Sequence, residues 1–229
     1  MLLRLFLICS VLCWTIKIQA QSSIEIDSLT GSRVPYHPKL QSFALPSALI
    51  LLGTYSIHQS TFINSKAIRI SRDRNAPNFH SSIDDWLQHA PIVVGFAYGA
   101  IKDQDRLWLY TKRLLLTTTI NSILVLSIKK ESHILRPDRE DYYSFPSGHT
   151  ANAFAAATLF SDHFARTKPW IGVLAYASAS TVGVYRILNN KHWAHDVVAG
   201  AGFGILSAKL SQVVFREKKK VSKDLRPID

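Results

Sequence analysis

Apolar residues in this chain gather into six stretches, at roughly 43–59, 88–101, 107–128, 150–164, 169–185 and 196–215, separated by polar links. The alternation of apolar and polar positions that marks a half-buried strand is nearly absent from them. Pro46, Pro91 and Pro169 fall near the starts of three stretches, where a missing N–H removes no helical hydrogen bond. The pattern predicts an all-α bundle of about six helices spanning residues 43–215. Before it, Arg4 and an apolar run from Leu5 to Trp14 precede Ile18-Gln19-Ala20, which reads as a secretory signal over residues 1–20. Ile18 is larger than such cleavage sites prefer, so an uncleaved anchor is the alternative. Residues 21–42 form a polar lead-in and residues 216–229 a basic tail.

Whether the bundle sits in water or in lipid turns on details. Several stretches are shorter than the ~20 residues of a spanning helix, and Lys112 and Arg113 trim the third to about 114–128. Against this, Trp86, Trp108 and Trp170 lie near stretch ends, as in an interfacial aromatic belt. Gly200 and Gly204, among Ala199, Ala201 and Gly202, make a small face suited to close helix approach in lipid. The membrane reading is favoured over a tightly packed soluble bundle. The basic tail from Arg216 to Lys220 belongs on the cytoplasmic side. With residue 21 starting outside, five crossings satisfy that placement if the first stretch, broken by Pro46, Gly53 and His58, packs without traversing. Residues 129–149 and 186–195 then face the periplasm of a bacterial-type envelope.

Composition narrows the chemistry. The 229 residues, 47% of them hydrophobic, suffice for one well-buried domain, and a mean hydropathy near zero leaves solubility open. A net charge of +11 suits an anionic lipid or a phosphorylated substrate. It carries no nucleic-acid reading motif. Both cysteines, Cys9 and Cys13, lie in the leader, so the remainder has no disulfide, thiolate nucleophile or cysteine-bound metal.

Three polar motifs sit at the edges of apolar stretches. In the first, Lys129 and Arg136 are seven residues apart, two helical turns, so both lean over one face, and Pro137 ends the element. Such a pair can hold a phosphate, Arg136 through its planar fork and Lys129 as a point charge. The second, Pro146-Ser147-Gly148-His149, leads into an Ala-rich helix former. It offers backbone N–H groups at a helix start, a hydroxyl donor in Ser147, an open backbone at Gly148 and, in His149, a side chain placed for proton transfer near neutral pH. In the third, Asn189 or Asn190 is an N-cap for a helix starting just before His192. His192 and Asp196 then share a face, the carboxylate orients the ring, and the other ring nitrogen is left as a nucleophile. Arg186 adds a third cation. Each motif alone also fits a bland reading: a juxtamembrane basic cluster, a proline turn before a capped helix, a histidine satisfied by a nearby carboxylate.

Together and in this order, Lys-x6-Arg-Pro, Pro-Ser-Gly-His and Arg-x5-His-x3-Asp resemble the type 2 phosphatidic acid phosphatase family, related to bacterial class A acid phosphatases and vanadium haloperoxidases. The resemblance covers about residues 43–215, with Tyr185 departing from the serine many members have there. It implies a helical, membrane-associated phosphatase that acts without metal through a phosphohistidine. In it, His192 is the nucleophile oriented by Asp196, and His149 is the general acid. Lys129, Arg136, Ser147, Gly148 and Arg186 hold the phosphoryl oxygens. No cofactor is implied, and vanadate is expected to inhibit. The expected substrate is a phosphorylated lipid such as phosphatidic acid, phosphatidylglycerophosphate, undecaprenyl pyrophosphate or a lipid A phosphate. The alternatives are a soluble exported acid phosphatase, a vanadium-dependent haloperoxidase, and metal binding by His192, His195 and Asp196. Asp84-Asp85-Trp86 reads only as a helix start, His195 as a neighbour of the site, and Lys66, Arg69, Arg72 and Arg74 as a headgroup-facing or solvated stretch.

Overall fold

The computed structural model describes residues 38–165 and 169–217. The leader, most of the polar lead-in and most of the basic tail lie outside the described residues. After a 3-10 turn at Leu40–Phe43 come α1 (Ala44–His58), α2 (Ser65–Asn75), α3 (Ile83–Leu87) and α4 (Ala90–Lys102). Then follow α5 (Gln104–Ser132), α6 (Gly148–Phe164), α7 (Pro169–Leu188) and α8 (Ala194–Val214). Among the described residues the only β pairing is an isolated bridge between Ile134 and Tyr143. The all-α expectation holds, and the six apolar stretches correspond to the six long helices.

The bundle is built around α8, which packs most extensively on α6 and α1. Small residues permit this approach. A Cβ on Gly200 would lie 2.5 Å from the carbonyl oxygen of Ser147, and one on Gly202 would lie 2.8 Å from that of Pro46. A Cβ on Gly204 would collide with the backbone of Ala151. Gly53 of α1 meets Ala199 while Pro46 meets Gly202, so α1 and α8 run antiparallel. Successive long helices therefore alternate in direction. The starts of α6 and α8 and the ends of α1, α5 and α7 share one end of the bundle.

α5 is inside out. Its buried face carries Tyr110, Arg113, Thr117, Asn121 and Val125, while Trp108, Leu115, Ile123 and Leu126 are exposed. Arg113 does not interrupt the helix as expected, because its side chain turns inward. Its Nε donates to the Phe215 carbonyl at 2.9 Å and its Nη1 lies 3.3 Å from His163 Nδ1. Polar groups directed inward with apolar ones outward suit a lipid surround. Three helical segments, Leu40–His58, Pro169–Leu188 and Ala194–Val214, are long and apolar enough to cross a membrane. The first of these is the stretch expected to pack without traversing. Proline at position 46 lies in its first turn and Gly53 serves its contact with α8.

Candidate active site

The three motifs meet at the end of the bundle where α5 and α7 finish and α6 and α8 begin. α5 stops at Ser132 because His133 takes a left-handed conformation, φ 47°. Arg136 therefore stands in the loop beyond, not two turns along a shared helix face. Pro137 disfavours helix at Arg136, and the loop holds that residue instead: its N–H donates to the Asp141 carbonyl at 2.9 Å, and its Nε lies 2.9 Å from Asp141 Oδ1. Lys129 remains on α5 and reaches across to the second motif, donating from Nζ to the Tyr143 carbonyl at 2.5 Å. Burial, and next the Arg136 charge, push its ammonium down to about 8.

The second motif caps α6. Ser147 is the N-cap, fully buried, and its hydroxyl pairs with Thr150 Oγ1 at 2.9 Å. The expected hydroxyl donor is thus engaged within the helix turn. Gly148 behaves differently from the glycines of α8: a Cβ there would sit 3.7 Å from Val125 and 3.9 Å from the Lys129 side chain, ordinary contacts. The protein leaves that space open beside Lys129 and the first amides of α6, which is the arrangement of an anion cradle.

The third motif departs from its predicted form. α7 runs to Leu188, Asn190 adopts φ 59°, and α8 begins only at Ala194 with Trp193 as N-cap. His192 precedes the helix. Its N–H and that of Lys191 both donate to the Arg186 carbonyl, at 3.3 and 3.1 Å, which folds the chain back and buries the ring. Asp196 is the third residue of α8, and its carboxylate caps the helix by accepting from Trp193 N–H at 2.8 Å. The pairing with His192 survives this shift: Nδ1 lies 3.5 Å from Asp196 Oδ2. Burial first, opposed by the Asp196 charge and reinforced by Lys129 and Arg186, pushes the His192 ring down to about 4. The imidazole is therefore neutral near pH 7, as a nucleophile requires.

Cross-links join the motifs. Ser144 Oγ donates to Asp196 Oδ2 at 2.5 Å, and Ser147 N–H donates to the Asp196 carbonyl at 3.0 Å. The remaining link comes from residues the sequence reading left as a helix start. Asp84, buried on α3, holds Arg186 Nη1 at 2.8 Å, and Asp85 holds His149 Nε2 at 2.8 Å. Burial, and next the Arg186 charge, lower the His149 ring, while Asp85 raises it. Two adjacent carboxylates in a short segment before an apolar run look like ordinary first-turn acids; only the path of residues 60–89 over the site gives them partners. That same path overturns the solvated reading of Arg72, whose Nε donates to the Leu188 carbonyl at 2.8 Å. Among the described residues no group of three His, Asp or Glu side chains is arranged to hold a metal.

A buried His–Asp pair, a second histidine on its own carboxylate, and Lys129, Arg136 and Arg186 around one helix N-terminus have the charge and donors that can neutralise a phosphoryl group. Residues 124–220 match the PAP2 superfamily. The chain is 35% identical over 195 residues to a lipid A 1-phosphatase of Porphyromonas gingivalis, covering 80% of this chain and 42% of that protein. It is 31% identical over 119 residues to a lipid A 1-phosphatase of Rhizobium johnstonii, covering 44% of this chain and 46% of that one. The chain thus spans less than half the length of these relatives. The fold is shared with a transmembrane PAP2-type phosphatidylglycerolphosphate phosphatase of Bacillus subtilis, at TM-score 0.53 and 21% identity over 73% of this chain and 94% of that one. The part of the chain from residue 124 to 220, which carries all three motifs, thus belongs with the PAP2 superfamily.

Proposed function

We propose that the chain is a lipid phosphatase acting by covalent phosphoryl transfer. The observation that carries this is the neutral, buried His192 held against Asp196 at the mouth of a cationic cradle. With Nδ1 turned to Asp196, Nε2 of His192 attacks phosphorus and the bond to the leaving oxygen breaks. His149 gives its proton to that oxygen. In the second half, water attacks the phosphohistidine, the P–N bond breaks, and His149 takes the water proton, so inorganic phosphate leaves and both histidines are restored. Lys129, Arg136 and Arg186, with the Gly148 amide, neutralise the equatorial oxygens, and charge neutralisation with positioning is most of what phosphoryl transfer needs.

The substrate is an amphiphile, and the names of the two curated relatives favour a lipid A type 1-phosphate. The site faces the periplasm from the inner membrane, because the basic tail leaves the bundle at the opposite end. A phosphate-release panel with the protein in detergent tests this, comparing lipid A phosphates, phosphatidylglycerophosphate, phosphatidic acid, undecaprenyl pyrophosphate and a soluble monoester. Turnover of a lipid phosphate, blocked by vanadate and unaffected by EDTA, is the expected result. Exclusive turnover of the soluble ester would support the acid-phosphatase alternative, bromide oxidation by peroxide with vanadate the haloperoxidase, and loss in EDTA the metal reading.

A further inference from the structure

Asp196 serves more than one histidine. Its Oδ2 takes Ser144 Oγ at 2.5 Å and the Trp193 N–H at 2.8 Å, and His192 Nδ1 approaches the same oxygen at 3.5 Å. The other oxygen, Oδ1, faces His195 Nε2 at 3.2 Å. His195 is itself buried, with its ring stacked parallel to Trp193, 6.3 Å between centroids, and Phe145 beside it. On its far side, Nδ1 lies 2.8 Å from Ser65 Oγ.

The hydrogen-bond directions follow from the donor inventory. Nε2 of His195 faces a carboxylate oxygen, which only accepts, so it carries the ring proton, and the Ser65 hydroxyl, whose oxygen takes the His195 backbone N–H at 3.3 Å, turns its own proton to Nδ1. Nδ1 is then the acceptor, and Nε2 carries the ring proton toward Asp196. Ser65 is placed for this by the start of α2, where Asn64 accepts the Ala67 N–H at 2.9 Å and fixes the first turn. A serine, a histidine and an aspartate thus form a line that ends on the carboxylate of the proposed nucleophile.

We propose that Ser65 and His195 are positioning residues for the reaction: His195 holds the second oxygen of Asp196, Ser65 fixes the tautomer in which it does so, and the carboxylate is thereby kept turned to His192. The proposal rests on the phosphatase reading above. Its logic is that Oδ2 is already shared among three groups, so the torsion of the carboxylate depends on what Oδ1 meets. Without the 3.2 Å contact from His195, the carboxylate can rotate away from His192, and the polar N–H that faces Oδ1 and tempers its charge is lost. The other groups facing this pair are Lys129 from α5, Arg186 from α7, Ser144 from the preceding loop and Arg69 from α2, whose guanidinium lies 5.5 Å from the Trp193 ring centroid. None of these groups reaches Oδ1 among the contacts described.

The experiment compares full-length wild type, His195→Leu, His195→Gln and Ser65→Ala in detergent, on the best lipid substrate and on a soluble phosphomonoester. His195→Leu should lose roughly 10–100-fold in kcat, the usual scale for removing a supporting hydrogen bond behind a reacting group, with KM little changed. Its acid limb should move to higher pH, because an untempered carboxylate favours protonated His192. His195→Gln, which keeps an N–H donor at the right length, should restore most of the rate and return the limb. Ser65→Ala should show a smaller loss in the same direction. An active wild type whose His195→Leu and Ser65→Ala variants match it, or lose rate only in proportion to their folded fraction with the acid limb unmoved, overturns the proposal alone. Failure of His195→Gln to recover does the same. A wild type that releases no phosphate from any substrate overturns the phosphatase reading and this proposal with it.

Discussion

In the proposed reaction the two histidines of the site answer opposite demands, and their surroundings separate them. His192 must be neutral to attack, and burial with two nearby cations keeps it so down to about pH 4. His149 must be protonated to donate, yet burial and Arg186 lower it below the ordinary 6.5, with Asp85 opposing. The sign follows: kcat/KM should rise as pH climbs through about 4, while His192 loses its proton. It should fall again before 6.5, as His149 loses its own, giving an acid optimum for the free enzyme. Asp85→Asn removes the contribution that raises His149, so its alkaline limb should move to lower pH with the acid limb unmoved. An alkaline limb that stays in place would detach Asp85 from the acid. His192→Ala should abolish turnover and His149→Ala should slow it by about 10²–10⁴-fold; near-normal rates in either would reverse the assignment of roles.

At the scale of elements, glycines at the site divide into two kinds, and substitution should tell them apart. Gly200 lets α8 touch the Ser147 carbonyl, where a Cβ would come to 2.5 Å from backbone that cannot yield. Gly200→Ala should therefore push α8 off the cap of α6 and cost about 1–3 kcal/mol, the scale of overpacking. Activity should fall with it, since Asp196 rides on α8. Gly148→Ala meets only ordinary contacts at 3.7 and 3.9 Å, so the melting temperature should stay near wild type. The added methyl fills the cradle beside Lys129, so vanadate and substrate should bind more weakly. Equal melting losses in the two variants would contradict this division. The six long helices and the order of the three motifs were legible in the sequence, because apolar clustering and short motifs are local signals. Cap positions were not: the left-handed turns at His133 and Asn190 moved Arg136 and His192 off the helices assigned to them. Asp84, Asp85, Ser65 and Arg72 were missed for a different reason. Each acts on a partner more than sixty residues away, and no local pattern announces such a contact.

For the molecule as a whole, alternation of the helices settles which ends belong together. Residues 40 and 215 lie at the same end, since the 3-10 turn before α1 packs on α8 and Arg113 holds the Phe215 carbonyl at 2.9 Å. Arg106 reinforces that end by pairing with Glu217 at 3.2 Å and with Asp103. The site loops, including residues 59–89, occupy the other end. The basic 60–85 segment lies at the site end, away from the tail, and covers the site, where Arg72 donates to the Leu188 carbonyl and Asp84 of the following α3 holds Arg186. The positive-inside preference then rests on the tail, whose Arg216, Lys218, Lys219 and Lys220 follow directly on α8. Reporter fusions should place residue 217 in the cytoplasm and the 59–64 link in the periplasm. A cysteine introduced in that link should react with a membrane-impermeant reagent in intact cells, whereas one placed after residue 217 should react only after lysis. A cysteine near residue 40 labelled from outside would mean that α1 does not cross and would return the first stretch to the peripheral role its sequence suggested, whereas outside labelling after residue 217 would overturn the orientation itself.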